Sequence, residues 1–248
     1  MNAVITLELK KNLQDRGLLF WALILPIIFT VLFISVFTSG ASEQESREII
    51  LSIVPGYTIM FVFFIMISMT ESFLKDSKIG MVARIAGTPL PSNLYLLGKW
   101  ISCMYIVFIQ ITVLLLFGKL VYQIPLEQPF YLIVLSLLLT FTVTGIGLAS
   151  AVTVKTSNMG IALTQVIALG GALLGGLWVP VDRMPDLSQL ISRLLPQYWA
   201  HQALQDAMAG TLQTVEFLQT FLILFGFGLA GFLLALFFYP TFLKRAKG

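Results

Sequence analysis

Apolar residues run along this chain in six long blocks, separated by shorter polar or charged stretches. The blocks lie at about Leu18–Phe37, Ile49–Thr70, Leu97–Phe117, Pro129–Val152, Met159–Trp178 and Phe217–Tyr239. Each holds about 20 residues, the length a helix needs to cross roughly 30 Å of hydrocarbon. None contains Asp, Glu or Arg, and the single Lys99 sits near an end, where its ammonium can snorkel to the headgroups. The pattern predicts an all-α membrane protein with six transmembrane helices. The first block is longer than the roughly 7–15 apolar residues of a signal-peptide core, and mixed charges precede it, so it reads as an uncleaved span.

The polar intervals carry patterns of their own. In residues 1–17, Ile5, Leu9 and Leu13 recur at helical spacing between Lys10, Lys11, Gln14 and Asp15. That predicts a short amphipathic helix in the inner interface, with a plain charged tail as the competing reading. The interval from Glu71 to Gly98 is the longest on the inner side. Its first residues, Glu71 to Lys78, can continue a helix out of the second span, and Gly87-Thr88-Pro89-Leu90-Pro91 breaks it. In the interval 179–216, Leu187, Leu190, Ile191, Leu194 and Leu195 form one apolar stripe between Pro185 and Pro196. Trp199, Ala203, Leu204, Ala207 and Met208 form a second, closed by Gly210. Two short helices dipping back into the outer leaflet fit this pattern, and two helices lying flat on the surface fit it as well.

Charge adds an orientation. Lys10, Lys11, Arg16, Lys75, Lys78, Arg84, Lys99, Lys155, Lys244, Arg245 and Lys247 fall on the side of the termini, which is 11 of the 15 basic residues. Most acidic residues fall on the other side. Excess Lys and Arg mark the cytoplasmic face, so both termini are expected there. The short basic stretch at Lys244–Lys247 reads as part of that topology signal. Composition agrees with a bilayer as solvent: 58% of the 248 residues are hydrophobic, 11% are charged and mean hydropathy is +0.92. A soluble fold of this size would lack the polar cover its surface needs. The net charge of +3 is too small and dispersed for nucleic acid. One Cys and one His leave no disulfide framework and no histidine metal cluster.

Missing parts narrow the chemistry further. There is no Gly-x-x-x-x-Gly-Lys-Ser/Thr phosphate loop, no Gly-x-Ser-x-Gly elbow and no paired His of a zinc protease. The spans hold no carboxylate of the kind proton-driven transporters use. Sodium coupling through hydroxyls such as Thr140, Thr142 and Thr144 stays open, beside their ordinary role as interhelical hydrogen bonds. Work done by such a chain would draw energy from a cytoplasmic partner, and the Glu71–Leu90 segment is the evident handle. Within the bilayer, Gln110 and Gln165 are expected to face protein, and His201 to sit at headgroup level. Tyr57, Met60, Phe61 and Phe64 give the second span a soft aromatic surface suited to an amphipathic ligand. Gly171 and Gly175 form a small-xxx-small pair, for a dimer seam or for packing within one subunit.

Three segments together resemble the permeases of type-2 ATP-binding-cassette (ABC) exporters. They are Val54-Pro55-Gly56-Tyr57; Arg84-Ile85-Ala86-Gly87-Thr88-Pro89-Leu90-Pro91 followed by Gly98-Lys99; and Gly175-Gly176-Leu177-Trp178-Val179-Pro180 followed by Met184-Pro185 and Leu195-Pro196-Gln197-Tyr198. The resemblance covers nearly the whole chain and implies one transmembrane domain of the bacterial plasma membrane. It would pair with a second permease chain, as homodimer or heterodimer, and dock two copies of a cytoplasmic ABC ATPase. ATP and Mg would be bound by that ATPase and no cofactor by this chain. By the same resemblance, residues 1–17 would be a connecting helix and 71–90 a coupling helix, with Glu71, Lys75, Asp76, Lys78, Arg84, Thr88 and Pro89 meeting the ATPase. Pro180, Pro185, Pro196 and Tyr198 would scaffold an outer gate in the re-entrant segment 179–216. Tyr57, Met60, Phe61, Phe64, Gln165, Gly171 and Gly175 would line the translocation path or the dimer seam. The expected cargo is a drug, antibiotic or lipid-like amphiphile. An ion-coupled transporter or channel without an ATPase, and a membrane-embedded enzyme or scaffold, are the alternatives.

Overall fold

The computed structural model describes residues 2–87 and 92–246, and its regular elements are all helical. An N-terminal helix α1 (Asn2–Gln14) precedes six spans. The first span, Arg16–Phe37, is built from α2 (Arg16–Leu19), a π-helical turn and α3 (Leu25–Phe37). The second, Glu43–Lys78, is built from α4 (Glu43–Phe63) and α5 (Ile65–Lys78). A short helix α6 (Met81–Ala86) follows at the end of the bundle that also carries the termini, the end that the charge bias marks as inner. The third, fourth and fifth spans are α7 (Ser92–Tyr122), α8 (Pro129–Thr153) and α9 (Ser157–Leu174). Two short helices, α10 (Asp186–Ser192) and α11 (Pro196–Ala209), lead to the last span, α12 (Thr214–Ala246).

Local chemistry sets the ends. Asp15 breaks α1 from the first span and caps it, its carboxylate accepting from the Leu18 amide at 3.1 Å. Ser42 and Glu45 form a reciprocal capping box, so the second span starts at Glu43, earlier than its apolar run. That span has 36 residues, about 54 Å if straight, against a core of roughly 30 Å. Its inner end therefore projects beyond the hydrocarbon. The fifth span ends at Leu174, before the Trp178 limit read from hydropathy. Gly176 adopts φ +81° there, a left-handed turn that only glycine takes without strain. The last span closes on the fourth: Arg245 donates to the Val152 carbonyl at 2.6 Å, covering the carbonyl end of α8.

The second and fourth spans are central. In its most apolar stretch the second is 72% buried, against 28% for the first and fifth and 22% for the sixth. The tightest crossing joins α8 to α12 at bare backbone. A Cβ on Gly145 would lie 2.4 Å from the Gly228 carbonyl oxygen, and one on Gly231 would lie 2.5 Å from the Gly145 carbonyl carbon. Thr142 adds a hydrogen bond to the Leu224 carbonyl at 2.8 Å, and the Trp100 indole donates to Thr144 at 3.0 Å. Fixed in this way, the centre carries a polar end on each side of the apolar layer.

Candidate functional site

At the inner end, α5 carries the second span outward as one helix to Lys78. Gly80 at φ +70° turns the chain and α6 follows, with Val82 buried beside α5 and α12. The projecting face is charged: Glu71, Lys75 and Lys78, at i, i+4 and i+7, are exposed, as is Arg84. Ile79 is exposed beside them. Thr88 and Pro89 lie outside the described residues. Asp76 departs from the expected outward-facing set. At helical spacing it falls on the opposite face from Glu71 and Lys75, and its carboxylate is 1% exposed.

Asp76 instead anchors a buried ionic cluster. It accepts from Tyr95 Oη at 2.7 Å and Lys11 Nζ at 3.3 Å, and pairs directly with Lys99. Lys99 also reaches Ser72 Oγ at 2.7 Å and Glu8 at 3.4 Å, and lies over the rings of Phe73 and Tyr95. The snorkelling expected of Lys99 is therefore replaced by burial, at 2% exposure. The expectation of a bundle without buried ionisable groups is corrected at the same place. Glu8, Asp76 and Lys99 are all buried, because they meet one another across three stretches of chain that look unpaired when read singly.

A groove of about 590 Å³ opens next to this cluster, between α1, the start of the first span and the second and fifth spans. Lys11, Asp15, Glu71 and Lys75 line its polar end, and Trp21, Phe64, Ile67 and Ile161 its apolar end. Gln165, expected to face protein, is exposed and lies on the groove wall. Of the four second-span residues expected along a path, only Phe64 reaches this groove. Tyr57, Met60 and Phe61 are buried within the subunit. Tyr57 stacks against Phe33 at 4.9 Å between ring centres, and Phe61 meets Phe29 edge-on at 5.6 Å. The first span covers Tyr57 and Phe61, which the apolar character of both spans could not reveal.

At the outer end two of the sequence motifs meet, Val54–Tyr57 and the stretch from Gly175 to Tyr198. Pro55 sits inside α4 and has no N–H, so the Leu51 carbonyl loses its helical donor. Side chains of α11 compensate: Gln205 reaches the Leu51 carbonyl at 3.5 Å, and His201 Nε2 donates to the Ser52 carbonyl at 3.0 Å. Gly56 gives the room for this, since a Cβ there would stand 2.7 Å from the Leu177 carbonyl oxygen and 3.4 Å from His201 Nε2. The expectation that His201 sits among headgroups is corrected. It is buried against the second span, and burial pushes its pKa down to about 4, so it is neutral. Gly171 and Gly175 face α11 of the same subunit: a Cβ on Gly171 would lie 2.2 Å from Gln197 Nε2, and one on Gly175 3.1 Å from Gln197 Cβ. Gln197 donates to the Ile167 carbonyl at 3.1 Å. Pro196 starts α11 and is buried, Tyr198 is half-buried against Trp199, and Pro180 and Pro185 are exposed in the turns before α10. The stripe on α10 faces outward, with Leu187, Leu190 and Leu194 all exposed.

Six apolar helices, a charged inner projection and an amphipathic groove define a multi-pass membrane permease. A model of the ABC-2 type transporter family matches residues 1–209, and the chain belongs to that family. It is 30% identical to the putative transport permease YvfS of Bacillus subtilis (strain 168) over 203 residues, covering 77% of this chain and 78% of that one. It is 29% identical to the linearmycin resistance permease protein LnrN of the same organism over 195 residues, covering 79% of this chain and 47% of LnrN. The chain thus spans about half the length of LnrN. It is the membrane subunit of a transporter.

Proposed function

We propose that the chain is the permease of an ATP-driven exporter in a bacterial plasma membrane, working as a dimer with two cytoplasmic ABC ATPase subunits. The observation that carries this reading is the exposed charged face of Glu71, Lys75, Lys78 and Arg84 on a helix that outruns the bilayer. A charged face of mixed sign sets register with a complementary groove more than it adds affinity. ATP binding on the partner would move α5 and α6, and the rigid second span would carry that movement to the outer end. There Pro55, Gly56 and His201 join it to α11, whose helix would serve as the outer gate and dip into the outer leaflet. ATP and Mg stay on the partner.

The cargo that fits the groove is an amphiphile of drug, antibiotic or lipid-like character. Its volume lies within the roughly 300–1,000 Å³ of small-ligand sites, and it grades from charged to aromatic lining. The resistance named for LnrN fits such a cargo. The test is transport of a fluorescent amphiphile in proteoliposomes. Uptake that needs both this chain and an ABC ATPase with ATP is the expected result. Uphill transport by the purified chain alone would overturn the reading.

A further inference from the structure

The charged groups Glu8, Lys11, Asp76 and Lys99, buried except for the part-exposed Lys11, come from three separate stretches: α1, the last turn of α5 and the first half of α7. Two acids face two bases. Lys99 touches Ser72, Asp76 and Glu8, while Asp76 touches Lys99, Tyr95 and Lys11. Asn12 extends the seam by donating to Ser102 Oγ at 3.2 Å. A polar network with its members satisfied rigidifies what it joins, because breaking one contact leaves a charge unpaired in a low dielectric. Asp76 lies just before α6, and Tyr95 and Lys99 lie just after the chain returns from it. The cluster therefore ties together both stalks of the inner loop and fastens α1 to them.

We infer that this quartet is an ionic clamp that makes α1 and the two stalks of the inner loop one rigid unit, so that force applied at α6 reaches α1 and the first span together with the second and third. The clamp rests on the loop being where the ATPase docks, but its rigidity can be read without the ATPase. Glu8 and Lys99 are positioning residues here, buried behind the exposed face that would meet a partner.

The first arm of the test is hydrogen exchange of the full-length chain in nanodiscs. In Lys99→Met, amides of α1 and α6 are expected to exchange at least tenfold faster together, with α8 and α12 unchanged. Loosening of α1 alone, or equal loosening of every helix, would overturn the clamp. The second arm uses Asn12→Cys with Ser102→Cys in a Cys103→Ser background, bridged by a short bis-methanethiosulfonate, in complex with the co-purified ABC ATPase. ATP-driven transport should survive bridging, since the seam stays closed through the cycle. Loss of transport on bridging, restored by reductant, would overturn the clamp. If the unmodified chain neither binds nor responds to an ABC ATPase, the docking reading fails and the exchange arm still decides the clamp.

Discussion

His201 donates to the carbonyl of Ser52 at 3.0 Å across 149 positions of sequence, and so fastens α11 to the second span beside Pro55. The bond lies where the proline has interrupted that helix's own ladder. It joins the outer helices to the same span whose inner end projects as α5. One span therefore reaches both ends of the molecule.

Removing that side chain takes away a buried hydrogen bond and packing between α11 and the second span. His201→Ala is expected to destabilise the protein by about 1–3 kcal/mol, the usual cost of a lost buried partner. His201→Gln keeps a donor and should recover part of the loss. Thermal unfolding in detergent measures both. A tolerated alanine would mean that this bond adds little to the contact between α11 and the second span.

The same residue sets a pH dependence. Unfolded His titrates near 6.5, whereas folded His201 stays neutral down to about 4. Above pH 6.5 neither state binds the proton and the residue has no effect. As pH falls from 6.5 towards 4 only the unfolded state gains it, so stability falls, by an amount on the order of 3 kcal/mol. Wild type should lose more melting temperature over this window than His201→Gln, and equal losses would place the titration elsewhere.

The α8–α12 crossing predicts a sharp contrast between glycines. Gly145→Ala puts a methyl 2.4 Å from the Gly228 carbonyl oxygen, which cannot swing aside, and overpacking of this kind costs about 1–3 kcal/mol or more. Gly170 has nothing within 4 Å of its virtual Cβ, so Gly170→Ala should be neutral or slightly stabilising. Yield and melting temperature of the two variants test the contrast.

The exposed inner charges should behave differently from the buried ones. Arg84→Glu and Glu71→Ala change surface side chains, so stability should move by less than about 0.5 kcal/mol. ATP-driven transport should drop severalfold while ATP hydrolysis by the partner continues. Unchanged transport in both variants would move the docking face away from α5 and α6.

The groove predicts a cargo effect. Gln165→Phe fills part of its wall without touching the bundle core, because Gln165 is exposed. Transport of a bulky amphiphile should fall with little change in melting temperature. An unaffected transport rate would place the cargo path elsewhere.

The number, order and helical character of the spans were legible because each apolar block must satisfy its own backbone hydrogen bonds in lipid, and a helix does so with local residues alone. The short outer helices were legible from their prolines and stripes, and the inner helix from its charged run. The direction in which side chains point was not. Tyr57 and Phe61, expected on a path or a dimer seam, are covered by the first span of the same subunit. Gly171 and Gly175 meet α11, and the closest backbone approach falls at Gly145, Gly228 and Gly231. In a chain apolar on nearly every face, hydropathy carries no periodic signal to separate a lipid-facing side from a protein-facing one.

By itself, then, the sequence determined the solvent of this protein and its six helices, since these depend on local composition and length. The tertiary structure decided which polar groups meet. Glu8, Asp76 and Lys99 could be buried only because α1, the second span and the third bring opposite charges together. The carbonyl that Pro55 leaves without a helical donor is reached by Gln205 of α11, a residue 154 positions away. Pairings of that kind cancel desolvation costs between residues far apart in the chain, and no local pattern encodes them.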